Sequence, residues 1–420
     1  MTATVIQKGK NLSGKECVSD FNSLSKDVLE GAKKLRSLGK DGIINLLDDY
    51  SKALQKSDIR TMEGVVFLCM WLRKSNLDKI ISQSFSDEKI LTDFIGSGKK
   101  KIKAQPRGLV CHWIAGNVST LGLFSLFQSM LVGNANILRI PSESIETMQK
   151  LLSVMAESKA QDLMDSFSIV TFSSSDKKLN ENLSMRADAR VVWGGKEAVE
   201  AITGLPHQSH CEDVVFGPKY SFAVIDNKAL QSEDIKDIIR KLVADIIVFD
   251  QSACSSPQVL FFEKSKESIK IMNMIADEFR SVQNRNPKSW IDSSTAAKII
   301  SKRAEYALSD DKNLLSSKEN DWTILYDEDI SLEEPVQSRT LFLKPVDSVL
   351  DVTSLITNKI QTIGCEIHDD DKLINFADAA TSCGVARCVP FGQMNFYDTP
   401  WDGILVLSRL VRWCSLTKKE

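Results

Sequence analysis

The feature that most constrains this chain is a change of texture at Pro106. Beyond it, short apolar runs (GLVCHWIA, NANILRI, SIVTF, ARVVW) alternate with helix-like segments, beginning with VSTLGLFSLFQSMLVG. Such runs read as buried strands, and strand–helix–strand alternation predicts a parallel sheet with crossover connections. The pattern resumes at YSFAVID. An amphipathic helix follows, with Ile235, Ile238, Ile239, Leu242, Val243 and Ile246 on one face. It is expected to end near Phe249, and QVLFFE, TLFLKPV and ARCVPFG read as further strands. Residues 308–339 are polar and acidic, which predicts surface loops around a strand.

Ahead of Pro106 the reading is mostly helical. DVLEGAKKLRSLGKDGIINLLDDYSKAL and MEGVVFLCMWLRKSNLDKII both carry apolar residues at three- and four-residue spacing. The expected division is a helical N-terminal part (1–105), a Rossmann-like cofactor domain (106–215), a catalytic domain (216–390) and a C-terminal return segment (391–420). There is no internal repeat and no low-complexity tract. At 420 residues and 43% hydrophobic, the chain is long enough for two domains with real cores.

A formal net charge of -3 gives no electrostatic case for nucleic acid or an anionic membrane surface. Nine cysteines occur singly with no CxxC pair, which points away from a disulfide scaffold, zinc or an iron–sulfur cluster. A reduced, cytoplasmic setting is expected. The N-terminus is polar, without an apolar signal core, and no apolar run reaches membrane-spanning length. A greasy substrate would have to be held in a pocket.

Several residues are candidates for chemistry. Cys254 lies in FDQSACSSPQ between a helix end and a strand start, among small neighbours that leave room for a carbonyl and free backbone N–H groups for an oxyanion. On position alone, an inert small hydrophobe is the stronger reading. Asn117, in HWIAGNVSTLG, is either a turn residue or an amide aimed at an oxyanion. Gly194 and Gly195 form a strand–turn–helix junction in VVWGGKEAVEAI that can bring N–H groups to a phosphate. Arg139, in ILRIPSES, is a further phosphate candidate. His207, His210 and Cys211 are too few and too loosely spaced for a structural metal site, and no metal is expected. His112 reads as a core histidine, and the apolar 118–132 helix as core. Trp401, Asp402 and Gly403 read as packing and turn residues.

Taken in order, these blocks resemble the aldehyde dehydrogenase superfamily. The closer resemblance is to its fatty acyl-CoA reductase branch, the LuxC-like reductases of bacterial bioluminescence. ADARVVWGGKEAVEAI resembles the superfamily's phosphate-contacting turn, while the closer resemblance is carried by the AGNV turn, FGPKYS, DQSACSSPQ and GVARCVPFGQMNFYDTPWDG, and it spans Pro106 to the C-terminus.

The resemblance implies two three-layer α/β domains and assigns roles residue by residue. Cys254 would be the nucleophile and Asn117 the oxyanion-hole amide. Gly194 and Gly195 would line the cofactor phosphate turn. Arg139 stands where the wider family has a ribose-contacting Lys. Ser142 stands where NAD-preferring members often carry a Glu, and with no carboxylate there NADPH is expected over NADH. Val215 falls at the family's water-activating Glu, and Val cannot be a general base, although Glu212 and Asp213 lie close enough in sequence to substitute. Glu334 is the nearest match to the family's ribose carboxylate. His210 would be a secondary residue near the cofactor turn.

The expected reaction is reduction of a fatty acyl-CoA or acyl thioester to aldehyde through acyl-Cys254, with NADPH as hydride source. Acyl-CoA or a partner acyl-protein synthetase would donate the acyl group, and the protein would be a homo-oligomer, as family members usually are. The alternatives are an NAD(P)-dependent dehydrogenase oxidising aldehyde to acid, and a non-catalytic binding relative.

Overall fold

The computed structural model describes residues 2–13, 16–266, 270–288 and 291–418. The chain forms two compact units, one of Met1–Pro218 with Tyr397–Glu420, the other of Lys219–Phe396.

The strands of the first unit are β1 (Ala3–Lys8), β2 (Glu16–Val18), β3 (Lys100–Pro106), β4 (Leu109–Trp113), β5 (Ala135–Arg139), β6 (Phe167–Thr171), β7 (Ala189–Trp193) and β8 (Glu212–Phe216). Seven of them make one sheet in the order β2-β1-β6-β5-β4-β7-β8. Strands β4 to β8 pair in parallel, as the crossover pattern predicts, and β1 and β2 add antiparallel pairs at one side. β4 and β7 are buried at every position because helices cover both faces. The helix Leu121–Leu131 has ten of its eleven residues buried, which makes the apolar run core.

The helical reading of the N-terminal region omits β1, β2 and β3. β1 is fixed by pairing with β6, more than 150 residues away in sequence, so no local signal specifies it. The first long helix, Asn22–Lys56, is broken at Gly39, whose φ of 65° takes it out of helical geometry.

In the second unit, β9 (Tyr220–Ile225), β10 (Pro257–Glu263), β11 (Asn313–Ser316), β12 (Thr323–Tyr326), β13 (Thr340–Val346), β14 (Ile360–Glu366) and β15 (Arg387–Val389) form a sheet in the order β11-β12-β13-β10-β9-β14-β15. All its pairs are parallel except β11 with β12. The predicted amphipathic helix is Ile235–Ile247, and its apolar face packs with Leu260, Phe262, Leu341 and Leu343 of the sheet. The last strand, β16 (Val411–Thr417), returns to the first unit and pairs antiparallel with β3 as a separate two-stranded sheet.

Candidate functional site

In the first unit, β4 lies between strands that follow it on either side, β5 and β6 on one and β7 and β8 on the other. The chain therefore leaves the carboxyl ends of β4 and β7 in opposite directions, and that divergence opens the crevice where α/β sheets bind ligands. A cavity of about 660 Å³ occupies this place, lined by Trp113, Gly116, Arg139, Glu143, Gly194 and Gly195 among others. Four sequence-predicted residues, Arg139, Ser142, Gly194 and Gly195, line this one cavity.

Gly195 is the N-cap of the helix Lys196–Thr203, with no side chain capping it, so the first-turn N–H groups remain for a ligand. A Cβ added to Gly195 would meet nothing within 4 Å. Arg139 donates from Nη2 to the Phe172 carbonyl at 2.9 Å and lies 5.7 Å from that residue's ring centroid. Its Nε is buried without a partner, and burial pulls its pKa below the ordinary arginine value. Ser142 Oγ donates to Glu143 Oε2 at 3.3 Å.

Glu143 was not singled out from the sequence. A Cβ on Gly116 would sit 2.9 Å from its Oε1, so the carboxylate is laid over that glycine inside the cavity. Its position in the short 3-10 turn Ser142–Ser144 puts it, not Ser142, forward as the acidic group of this site.

Asn117 sits in the exposed bend after β4, five positions before Gly122 in the core helix. On β4, His112 is fully buried, with Nδ1 2.8 Å from Ser125 Oγ and Nε2 3.1 Å from Asn136 Oδ1. Asn136 gives its Nδ2 to the Asn134 carbonyl, so Oδ1 accepts from His112 Nε2–H and Nδ1 accepts from Ser125. Trp193 Nε1 completes the chain by donating to Ser125 Oγ at 3.1 Å. Burial holds the His112 pKa down at about 4, and this neutral core histidine has a structural role.

His210 is at the other end of the sheet. It bonds Asp188 at 2.8 Å, and Asp188 and His210 precede β7 and β8, whereas the Gly194–Gly195 turn follows β7. The expected place near the cofactor turn is therefore corrected: a five-residue strand separates the two. The two acids beside Val215 are also committed elsewhere. Glu212 pairs with Arg107 at 3.0 Å and with Arg409, and Asp213 takes a two-pronged hydrogen bond from the fully buried Arg190. Val215 itself pairs with Val192 within the sheet. Among the described residues no group of three His, Cys, Asp or Glu is placed to hold a metal ion.

In the second unit, Cys254 lies in the loop between the helix Ile235–Ile247 and the amino end of β10. The loop is fixed by its own buried polar groups. Gln251, at φ 61°, donates to the carbonyls of Pro257 at 2.8 Å and Thr340 at 3.0 Å and accepts from the Thr340 N–H at 2.7 Å. Ser221 Oγ, on β9, donates to the Cys254 carbonyl at 2.7 Å and accepts from the Thr362 N–H at 3.1 Å. Ala253, Ser255 and Ser256 are buried, while Cys254 between them is half-buried. A loop held by buried polar groups thus presents the Cys254 side chain at the amino end of β10.

Against this geometry, the sequence profile of a family described as acyl-CoA reductase (LuxC) matches residues 28–413. The chain belongs to the LuxC acyl-CoA reductase family. Relatives of this LuxC-family chain include the long-chain acyl-protein thioester reductase of Vibrio harveyi, 30% identical over 427 residues, covering 95% of this chain and 87% of that one. Another is long-chain acyl-protein thioester reductase 2 of Photobacterium leiognathi, 25% identical over 374 residues, covering 87% and 75%. Solved structures of like fold include the P. syringae indole-3-acetaldehyde dehydrogenase AldA, with TM-score 0.70 at 11% identity over 100% of this chain and 93% of that one. Aldehyde dehydrogenase 21 of Physcomitrella patens gives TM-score 0.68 at 13% identity over 99% and 95%. At such identities the likeness is one of fold. The aldehyde-dehydrogenase-like α/β architecture and the LuxC family expectation are both borne out, and this LuxC-family chain is an acyl reductase.

Proposed function

We propose that this reductase transfers a long-chain fatty acyl group from a CoA or protein thioester to Cys254 and reduces it to the aldehyde, using NADPH. The observation that carries the reading is the cysteine loop. It holds a half-buried cysteine between buried neighbours, while the two acids nearest Val215 in sequence are engaged by arginines and are poor candidates for activating water. Cys254 Sγ attacks the acyl carbon, the donor thiol leaves, and the acyl-Cys254 thioester persists because Glu212 and Asp213 are held by arginines and do not serve to activate water. Asn117 is assigned the oxyanion amide by family likeness, and the exposed bend after β4 is consistent with that role. After reduction, Cys254 leaves as thiolate and aldehyde is released.

The first-unit cavity fits a dinucleotide. The uncapped helix start at Gly195 suits the pyrophosphate, and the orphan Nε of Arg139 suits a phosphate or ribose oxygen. When bound, the nicotinamide supplies the hydride. Glu143 favours a second reading, NADH, since a carboxylate binds ribose hydroxyls and repels a 2′-phosphate. Titration with each cofactor, followed by quenching of Trp113 and Trp193, separates these. No helix among the described residues is long and apolar enough to cross a membrane. A cytoplasmic homo-oligomer, served by an acyl-CoA pool or an acyl-protein synthetase, completes the proposal.

Product analysis tests the reaction itself. With acyl-CoA and NADPH the expected product is aldehyde. Free acid as the main product, or aldehyde oxidation outpacing acyl reduction, would replace this reading with the oxidative one.

A further inference from the structure

Asn395 joins three segments around the Cys254 loop. Its Oδ1 accepts hydrogen bonds from Ser255 Oγ at 2.8 Å and from Ser256 Oγ at 3.1 Å. Its Nδ2 donates to the Asp245 carbonyl at 2.6 Å, near the end of the helix that leads into the loop. Both faces of the amide are thereby specified, because a carbonyl only accepts and the two hydroxyls donate. The Asp245 carboxylate in turn accepts the Gly392 N–H at 2.6 Å and further N–H bonds from Met394 and Asn395. Asn395 is 6% exposed, Ser255 2% and Ser256 0%, so the amide is the built partner for two buried hydroxyls.

The segment has little slack. Gly392 has φ 85°, and a Cβ there would lie 3.2 Å from Lys241 Cγ. The chain Asp245–Asn395–Ser255/Ser256 therefore ties the residues immediately after Cys254 to the helix before it. We infer that Asn395 is a positioning residue for Cys254, fixing its Sγ and backbone N–H by clamping the two following seryl hydroxyls. The inference rests on Cys254 as nucleophile. A shift of about 1 Å in a reacting group can cost on the order of 100-fold in rate.

The test is the rate of Cys254 alkylation by iodoacetamide across pH, followed by peptide mass spectrometry, with acyl transfer from acyl-CoA measured in parallel. Asn395→Ala should slow acyl transfer by roughly 10- to 100-fold, move the pH profile of Cys254 alkylation, and leave the Kd for NADPH unchanged. In a Ser255→Ala/Ser256→Ala background the same Asn395→Ala change should add little, because the clamp is already gone. If Asn395→Ala does not fold, the single Ser255→Ala and Ser256→Ala variants should each show part of the loss. Unchanged alkylation and acyl transfer, or full additivity with the serine variants, overturns the inference. Acyl adduct persisting in Cys254→Ala would instead remove the nucleophile assignment, a separate outcome.

Discussion

At the level of single residues, Arg139 and Glu143 act on cofactor choice in opposite senses. Arg139 is buried enough that an anion placed on its unpartnered Nε would be a strong partner, whereas Glu143 is exposed and acts across water. A like charge near 4 Å in water costs about 1 kcal/mol, so Glu143→Gln should tighten NADPH roughly fivefold and leave NADH unchanged or weaker. Arg139→Ala should weaken NADPH about 10-fold or more. Tryptophan quenching reads both constants. Arg139 and the Gly-Gly turn were legible in the sequence because each sits at the end of a clear strand. Glu143 is not, because the family resemblance places Ser142 at that position, and a one-residue shift inside an exposed turn leaves no periodic signal. His210 was misplaced for a related reason: nearness in sequence to a turn does not say which end of a strand a residue borders.

At the level of elements, β13 carries a fully buried Lys344. Its ammonium bonds Asp327 at 2.7 Å and Glu333 at 3.1 Å, and also the Asp329 carbonyl and Ser331 Oγ, so it pins the acidic 327–334 loop to the sheet. Lys344→Met would strand the buried Asp327, an effect of about 3–5 kcal/mol, measurable by urea unfolding. The 308–339 stretch reads as surface loops around one strand, whereas two strands, β11 and β12, lie within it. The lysine that anchors it was invisible because TLFLKPV looks like an ordinary apolar run.

A pH effect belongs to the helix Ile235–Ile247. Burial raises the Asp245 carboxyl to about 7, against the opposing pull of three backbone N–H bonds. Since the folded value exceeds the unfolded one, the folded state binds the extra proton. The favourable contribution is then full below the ordinary carboxylate range, and is lost as pH climbs from about 4 through 7. Chemical denaturation should show wild-type stability falling over that window relative to Asp245→Asn, and a flat difference would count against it. Three of the strands that the sequence does not announce share one cause. β1, β3 and β16 are specified by partners far along the chain, and KKIKAQP is too lysine-rich to announce itself.

At the level of the whole molecule, the two parallel sheets followed from the alternation of apolar runs after Pro106. A C-terminal return segment is expected over 391–420, and residues 397–420 belong to the first unit; only its pairing with β3 leaves no local trace in the sequence. That return builds the β3–β16 sheet, which leaves Trp413 52%, Leu416 42% and Ile102 39% exposed. A two-stranded sheet with apolar residues and open edges is a surface suited to a second copy of the chain. Sedimentation should find a homo-oligomer, and Trp413→Glu should shift it towards monomer.

The central proposal is Cys254 as the acyl carrier. Intact-protein mass spectrometry after incubation with long-chain acyl-CoA, without reduced cofactor, tests it most directly. One acyl adduct is expected on the wild type, mapped to Cys254, cleared by adding NADPH, and absent from Cys254→Ala. An adduct of equal yield on Cys254→Ala, or one mapped to another cysteine in the wild type, would contradict it.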